Sequence, residues 1–160
     1  MNRIALLQAM ANRFGDFKIA FAEGDRWSKH ESVLGLCEKG EWYKLSRANN
    51  RQIHAAEVVL DIDDANAEQK AKVIMDWLDA RGFEYSAWRS GGKGIHIHLI
   101  FPQMLLYGEA YRKKVRAFLI EQFGTDAIKS SEKVMIALEY SPHRHSGRLK
   151  LPIAGKVDYE

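Results

Sequence analysis

Two aspartates, Asp61 and Asp63, end an apolar and partly β-branched segment that begins at Glu57. Paired carboxylates at the end of a strand suit hard divalent cations, because Mg²⁺ and Mn²⁺ prefer oxygen ligands. Two such ions can hold the attacking and the leaving oxygen of a phosphoryl transfer. A lone Asp-x-Asp often only caps the next turn and helix, but Asp64 and Asn66 already supply that capping chemistry. The first two carboxylates therefore indicate a metal site.

A glycine-rich segment, Ser90-Gly-Gly-Lys-Gly-Ile-His96, follows about thirty residues later. Glycines let backbone N–H groups approach an anion, and Lys93 adds a positive charge, so the segment could hold phosphates. A plain hairpin turn explains the glycines about equally well on their own. The segment is not a Walker P-loop, because no helix and no Ser/Thr follow the lysine. The flanking serine and histidine favour the phosphate-binding interpretation.

Four of the six histidines form two His-x-His pairs, His96/His98 and His143/His145. A lone histidine on a strand is usually structural, but two on one face beside carboxylates could bind a metal. The second pair opens a basic segment without acids, formed by His143, Arg144, His145, Arg148, Lys150 and Lys156. In isolation such a segment is often only a solvated surface, whereas beside a metal site it favours binding to a triphosphate or a nucleic-acid backbone.

The hydrophobic pattern predicts the elements that position these groups. Predicted strands are 57–63, 83–89, 95–101 and 134–140, and predicted helices are 66–81 and 107–123. This βαββαβ order predicts an α+β fold of the RNA-recognition-motif or ferredoxin-like type. A basic strand at 148–153 follows, so residues 56–160 form the main module. Residues 1–55 are an N-terminal α/β extension, with helices at 1–13 and 33–37 and strands at 17–21 and 42–45.

Side-chain alternation predicts which groups share a face of the sheet. On the first and third strands the apolar set points towards the helices, which leaves Asp61, Asp63, His96 and His98 on the opposite face. The fourth strand contributes Glu139 to that face. In a split βαβ sheet the first and third strands are neighbours and the fourth lies beside the first. We therefore expect three carboxylates and two imidazoles to converge on one open sheet face.

Composition limits the other possibilities. The chain has 160 residues with 24 Lys+Arg and 21 Asp+Glu, a net charge of +3. These values predict one globular domain and exclude disorder, and the charge is too balanced for a protein that merely coats nucleic acid. The single cysteine, Cys37, excludes an internal disulfide and a cysteine-rich zinc finger. No apolar run has the length of a membrane span, so we expect a cytoplasmic protein.

Three motifs occur in order over residues 57–156: Leu60-Asp-Ile-Asp63, Ser90 to His96, and Leu138-Glu139 followed by Arg148-Leu-Lys-Leu-Pro152. Together they resemble the archaeo-eukaryotic primase superfamily. That group includes primase small subunits, primase-polymerases and the polymerase domains of bacterial end-joining ligases. The resemblance implies a template-directed nucleotidyltransferase that makes or extends primers on single-stranded DNA from NTPs or dNTPs. A helicase or a large primase subunit is a further partner that it suggests. It also implies that the protein is associated with the nucleoid or a replicon.

The resemblance also implies roles for individual residues. Two Mg²⁺ or Mn²⁺ ions would be held by Asp61, Asp63 and Glu139, with His98 as an additional candidate ligand. The residues implied in nucleotide binding are Ser90, Gly91, Lys93, His96, His145, Arg148 and Lys150. Glu139 stands where the superfamily usually has aspartate, and Lys156 stands where primase small subunits tend to have histidine.

Two other functions fit parts of the pattern. A replication initiator or relaxase endonuclease of the His-hydrophobic-His class would place His96 and His98 on a metal and use Tyr111 as a covalent nucleophile. That alternative gives Asp61 and Asp63 no role. A non-catalytic RNA-recognition module would need aromatic residues on the first and third strands, where this chain has aspartates and histidines.

Overall fold

The computed structural model describes residues 2–156, which form five α-helices and ten strands. The helices α1 to α5 are Arg3–Phe14, Val33–Lys39, Trp42–Arg47, Ala67–Ala80 and Glu109–Phe123. The strands β1 to β10 are Lys18–Ala20, Ala22–Glu23, Arg26–Trp27, Glu31–Ser32, Asn50–Gln52, Glu57–Ile62, Tyr85–Arg89, Ile95–Ile100, Met135–Ala137 and Leu151–Gly155. Short 3-10 helices cover Pro102–Leu106 and Ala127–Ser130.

Sheet I has the strand order β10-β7-β8-β6, and its paired strands are antiparallel. The apolar side chains of β6 and β8 pack against α4 and α5, as the alternation predicts. This core includes Val58, Leu60, Ile62, Ile95, Ile97, Leu99, Ala71, Ile74, Leu78 and Ile120. Burial of each large aliphatic side chain contributes roughly 1.5–3 kcal/mol relative to exposure, so this face fixes the register of both strands.

Sheet II has the order β4-β1-β5-β9 and packs beside α1, α2 and α3. The predicted strand at 42–45 is wrong, because residues Trp42–Arg47 form α3. Leu45 is completely buried in the core with α1, while Trp42 and Tyr43 are exposed. Trp42 and Tyr43 favour a strand by local propensity. In the structure only Leu45 of this segment is buried against the core that contains α1, and a helix provides such an inward position once per turn.

The strand that follows α5 lies elsewhere than expected. It is β9, and it pairs with β5 of sheet II, with Arg51 opposite Ile136. The place beside the end of β6 is taken by the segment that leads into the second 3-10 helix, where the Asp126 N–H donates to the Asp61 carbonyl at 3.2 Å. The α+β class is confirmed, but the fourth strand does not lie beside the first.

The polar face of sheet I is also less open than expected. Glu57 and His98 on that face are completely buried. Only the end of the sheet that carries Asp61 and Asp63 keeps partly or fully exposed polar side chains. The predicted basic strand is confirmed as β10, which pairs with β7. Within residues 2–156 no helix is long and apolar enough to cross a membrane.

Candidate active site

A cavity of about 610 Å³ opens at the end of sheet I where β6 and β8 meet the glycine turn. Its acidic residues are Asp61, Asp63 and Asp126. Its cationic and imidazole residues are Lys93, His96, Lys129, His143, Arg144, His145 and Arg148. The cavity therefore brings carboxylates and cations together in one polar space, as a site for a metal-bound polyphosphate would require.

The acidic side of the cavity is built by β6 and by the turn before Ala127. Lys129 places its ammonium between two carboxylates, with Nζ 3.4 Å from Asp61 Oδ2 and 3.7 Å from Asp126 Oδ2. Burial raises the pKa of Asp61, the ammonium of Lys129 opposes that rise, and the negative charge of Asp126 adds to it. A cation is thus already accommodated between Asp61 and Asp126.

This side of the cavity offers oxygen donors but no complete metal site among the described residues. Among residues 2–156, no three His, Cys, Asp or Glu side chains surround a common point closely enough to hold a metal. The oxygens of Asp61 and Asp126 instead face the same ammonium, and such oxygens are the donors that Mg²⁺ and Mn²⁺ prefer. Asp126 was not predicted, because a lone aspartate before a helical turn has the ordinary pattern of a cap, and its side chain does accept from Ile128 N–H at 3.0 Å.

Glu139 does not join this cavity, so its expected convergence with Asp61 and Asp63 is wrong. It is completely buried, and its carboxylate accepts from Arg51 Nη2 at 2.7 Å and Nε at 3.0 Å. Arg51 also binds the Glu57 carboxylate, with Nη2 3.0 Å from Oε2. Burial alone would raise the pKa of Glu139, but the guanidinium of Arg51 lowers it to about 2. Glu139 is therefore an ionised partner of Arg51.

His98 and Lys150 also lie outside the cavity, contrary to their predicted roles at the metal and the triphosphate. Lys150 Nζ is 3.0 Å from His98 Nε2 and donates to the Ala137 carbonyl at 2.8 Å. Nδ1 of His98 is 3.0 Å from Glu57 Oε2. Burial lowers the pKa of Lys150 to about 8, while the charge of Glu139 partly opposes that effect. Lys150 precedes β10 and points into the space between the sheets, which does not match the position that the resemblance implies for it.

We call Arg51, Glu57, His98, Glu139 and Lys150 the buried charge network. All five are completely buried. Arg51 comes from sheet II, Glu57 and His98 come from sheet I, and the other two come from the C-terminal segment. The network therefore links three parts of the fold directly behind the cavity.

His96 occupies the position that alternation predicts. It lies opposite Asp61 on the paired strands and lines the cavity, with Nε2 3.5 Å from Asp61 Oδ1. The side chain is only 6% exposed as a residue, and Nδ1 has no hydrogen-bond partner within residues 2–156. Burial and the charge of Lys150 hold the pKa of His96 well below its usual range. A neutral imidazole with a free polar atom therefore lies beside Asp61.

The glycine turn packs closely against its surroundings. Gly91 has φ +85°, and a Cβ there would lie 2.5 Å from the Arg148 carbonyl oxygen and 2.9 Å from His143 Cβ. The Gly91 carbonyl accepts from Ser146 Oγ at 2.6 Å and from Arg148 Nε at 3.2 Å. Gly91 thus joins the turn to the 143–148 loop, whereas Ser90 and Lys93 line the cavity. Phosphate binding by this turn stays a prediction.

The geometry does not favour the two alternative functions. Tyr111 is half exposed, lies beside Tyr107 with ring centroids 4.7 Å apart and ring planes tilted by 39°, and does not line the cavity. His98 is enclosed with Lys150, so His96 and His98 offer no common metal position. On the face of sheet I away from the helices, Trp88 is completely buried and cannot stack on a base.

No protein-family model and no curated protein sequence matches the chain. Among solved structures, the chain is similar to the primase-polymerase domain of cyanophage S-2L, with 14% identity over 97% of this chain and 89% of that one, and a TM-score of 0.62. It is similar to primase RepB′, with 12% identity, 96% of this chain, 56% of that one and a TM-score of 0.61.

A further similar structure is the polymerase domain of Mycobacterium tuberculosis ligase D in complex with DNA, with 13% identity and a TM-score of 0.51. That match covers 95% of this chain and 79% of the other. At such low identity these similarities establish the fold, and they agree with the resemblance drawn from the three motifs. The chain has the fold of the archaeo-eukaryotic primase superfamily.

Proposed function

We propose that this chain is a template-directed nucleotidyltransferase that makes or extends primers on single-stranded DNA from NTPs or dNTPs. One observation carries the proposal: Asp61, Asp63 and Asp126 share a single cavity with Lys93 and Arg148. Carboxylates for divalent cations beside cations for phosphates are what transfer of a nucleotidyl group requires. The fold shared with primases and polymerases supports the same activity.

Asp61, Asp63 and Asp126 are the residues that would hold two Mg²⁺ or Mn²⁺ ions. Such ions, when bound, would activate a primer 3′-hydroxyl and neutralise charge on the α-phosphate. His96 lies against Asp61 and orients its carboxylate. Asp126 takes the third place that the sequence assigned to Glu139.

The cationic residues of the cavity bind the triphosphate in this proposal. Lys93 and Arg148, with His145 and Ser90, contact the β- and γ-phosphates, and Gly91 supports the turn that carries Ser90 and Lys93. The 3′-oxygen forms a bond to the α-phosphorus while the bond to the oxygen bridging to the β-phosphate breaks. Cations at that position stabilise the charge of the departing pyrophosphate. Association with a helicase or a large primase subunit stays a prediction.

Primer extension tests this assignment. We expect the wild-type chain to extend a labelled primer on a single-stranded template with dNTPs or NTPs and Mn²⁺. Asp61→Asn should lower the rate about 100-fold or more, because a preorganised charge is lost at the reacting phosphate. Asp64→Asn is the matched control, since Asp64 lies in the next turn, pairs with Lys70 at 3.1 Å and does not line the cavity. Unchanged extension by Asp61→Asn would overturn the proposal.

A further inference from the structure

The hairpin formed by β2 and β3 stands at the rim of the cavity. Ala22 pairs with Trp27, and Glu23 pairs with Arg26. The hairpin turn is attached to the 143–148 loop, because Gly24 N–H donates to the Arg144 carbonyl at 2.7 Å and Arg144 Nη1 donates to the Gly24 carbonyl at 2.6 Å. These reciprocal bonds fix the hairpin relative to the cationic side of the cavity.

Trp27 lies where this cavity meets a second groove. It is 41% exposed, and it lines both the 610 Å³ cavity and a neighbouring groove of about 350 Å³. The Arg144 guanidinium lies 5.3 Å from the centre of its ring. An exposed tryptophan between two open spaces, with a cation at its face, offers a planar surface on which a base can stack.

The second groove combines aromatic and cationic groups beyond Trp27. Its lining includes Phe21, Arg26 and Arg47, with Glu23 as an acidic member. Arg47 lies 4.1 Å above the Phe21 ring. Within residues 2–156, Arg26 and Arg47 form no ion pair with a carboxylate, and the nearest hydrogen-bond partner of the Arg47 guanidinium is the Tyr43 hydroxyl at 3.5 Å. Neither positive charge is neutralised by an ion pair.

We propose that this second groove, with Trp27 as its edge, binds the single-stranded nucleic acid where the strand leaves the active site. Bases stack on Trp27, and Arg26 and Arg47 contact the phosphates. This inference rests on the proposed function and names the partner of the same site. Alternating aromatic and cationic groups continuous with the cavity fit a single strand, because stacking and phosphate contacts both act without sequence preference.

The test measures binding of a fluorescein-labelled oligo-dT to the full chain by fluorescence anisotropy, without nucleotide or metal. Trp27→Ala should weaken binding about tenfold, the usual cost of losing one stacked base. Trp27→Phe keeps a stacking ring and should recover most of that affinity. Trp42→Ala is the matched control, because Trp42 is 45% exposed at the start of α3 and lines neither cavity.

The salt dependence adds a readout that a purely structural role would not change. The double variant Arg26→Gln/Arg47→Gln should lower the slope of log affinity against log salt by about 1.4, or about 0.7 for each phosphate contact on a single strand. Unchanged affinity of Trp27→Ala, or equal weakening by Trp42→Ala, overturns the inference.

The two proposals can fail separately. Loss of binding in Trp27→Ala without any primer extension by the wild type would support the groove and reject the polymerase. Normal extension by the wild type together with unchanged binding by Trp27→Ala would keep the polymerase and reject the groove.

Discussion

Glu139 and Asp126 should respond in opposite ways to removal of their charge. The change to test is Glu139→Gln, which keeps the shape of the side chain and removes its negative charge. Arg51 would then keep only Glu57 as an ionised partner, in a place where neither group reaches solvent. If Glu139 is a structural partner of Arg51, this substitution mainly lowers stability. If Glu139 were a metal ligand, the same substitution would mainly weaken metal binding.

The burial of this ion pair sets the expected loss in the free energy of unfolding. Removal of one partner of a buried ion pair costs about 3–5 kcal/mol, because the other charge stays buried without full compensation. Arg51 retains Glu57, so we expect about 3 kcal/mol. A domain of this length loses about 2–4 °C in Tm for each kcal/mol, which gives a decrease of about 6–12 °C.

Asp126→Asn is the matched comparison. The Asp126 side chain is 36% exposed, and its ion pair with Lys129 spans 3.7 Å, so its loss should cost less than about 1 kcal/mol. Asparagine also caps a helical turn as well as aspartate does. We therefore expect Asp126→Asn to melt within a few degrees of the wild type and to bind Mn²⁺ about tenfold or more weakly.

Thermal unfolding by circular dichroism and Mn²⁺ titration by electron paramagnetic resonance measure both properties. The titration is carried out well below the Tm of every variant, so that only folded protein is compared. Glu139→Gln should melt early and bind Mn²⁺ as the wild type does. A Glu139→Gln variant with an unchanged Tm and weakened Mn²⁺ binding would refute this reasoning and restore Glu139 as a metal ligand.

Three further predictions concern other groups. Burial lowers the pKa of His54 to about 4 from its ordinary 6.5, so the unfolded chain binds the proton first as the pH falls. The free energy of unfolding in urea should therefore fall between pH 7 and pH 5, and His54→Asn should make that fall smaller by about 2 kcal/mol, while buried His96 still contributes to the part that remains. Lys129→Met should raise Mn²⁺ affinity by roughly tenfold, because an ammonium within 4 Å of two carboxylates no longer competes; an unchanged affinity would mean that the metal lies elsewhere. Gly91→Ala should lower the free energy of unfolding by at least 2 kcal/mol more than Gly147→Ala, because both have positive φ but only a Cβ at 91 meets backbone within 4 Å; equal losses would contradict this contact.

The part of the site that the sequence predicts depends on local periodicity. Asp61 and His96 are placed correctly because alternation along a strand, together with the apolar core beneath it, fixes the face of each side chain. Alternation misplaces Glu139 because it assigns a face only when the partner strand is known. The strand before Glu139, β9, pairs with β5, which is distant in the sequence, and local periodicity does not predict that pairing. Asp126 carries no local signal that distinguishes a cavity-lining carboxylate from a helix cap.

The buried charge network keeps four ionised side chains apart from the cavity. Arg51 and Lys150 balance Glu57 and Glu139, so these four groups cancel one another away from solvent. The network and the cavity contain the same kinds of charged side chain. They differ in how deeply these side chains are buried and in the partners that each charge has. The network has no net formal charge with neutral His98, yet its Lys150 still acts on the cavity, because that charge lowers the pKa of His96. The groups that would contact a metal-bound triphosphate directly are nevertheless those of the cavity walls, and the network also holds sheet I, sheet II and the C-terminal segment in the positions that bring those walls together.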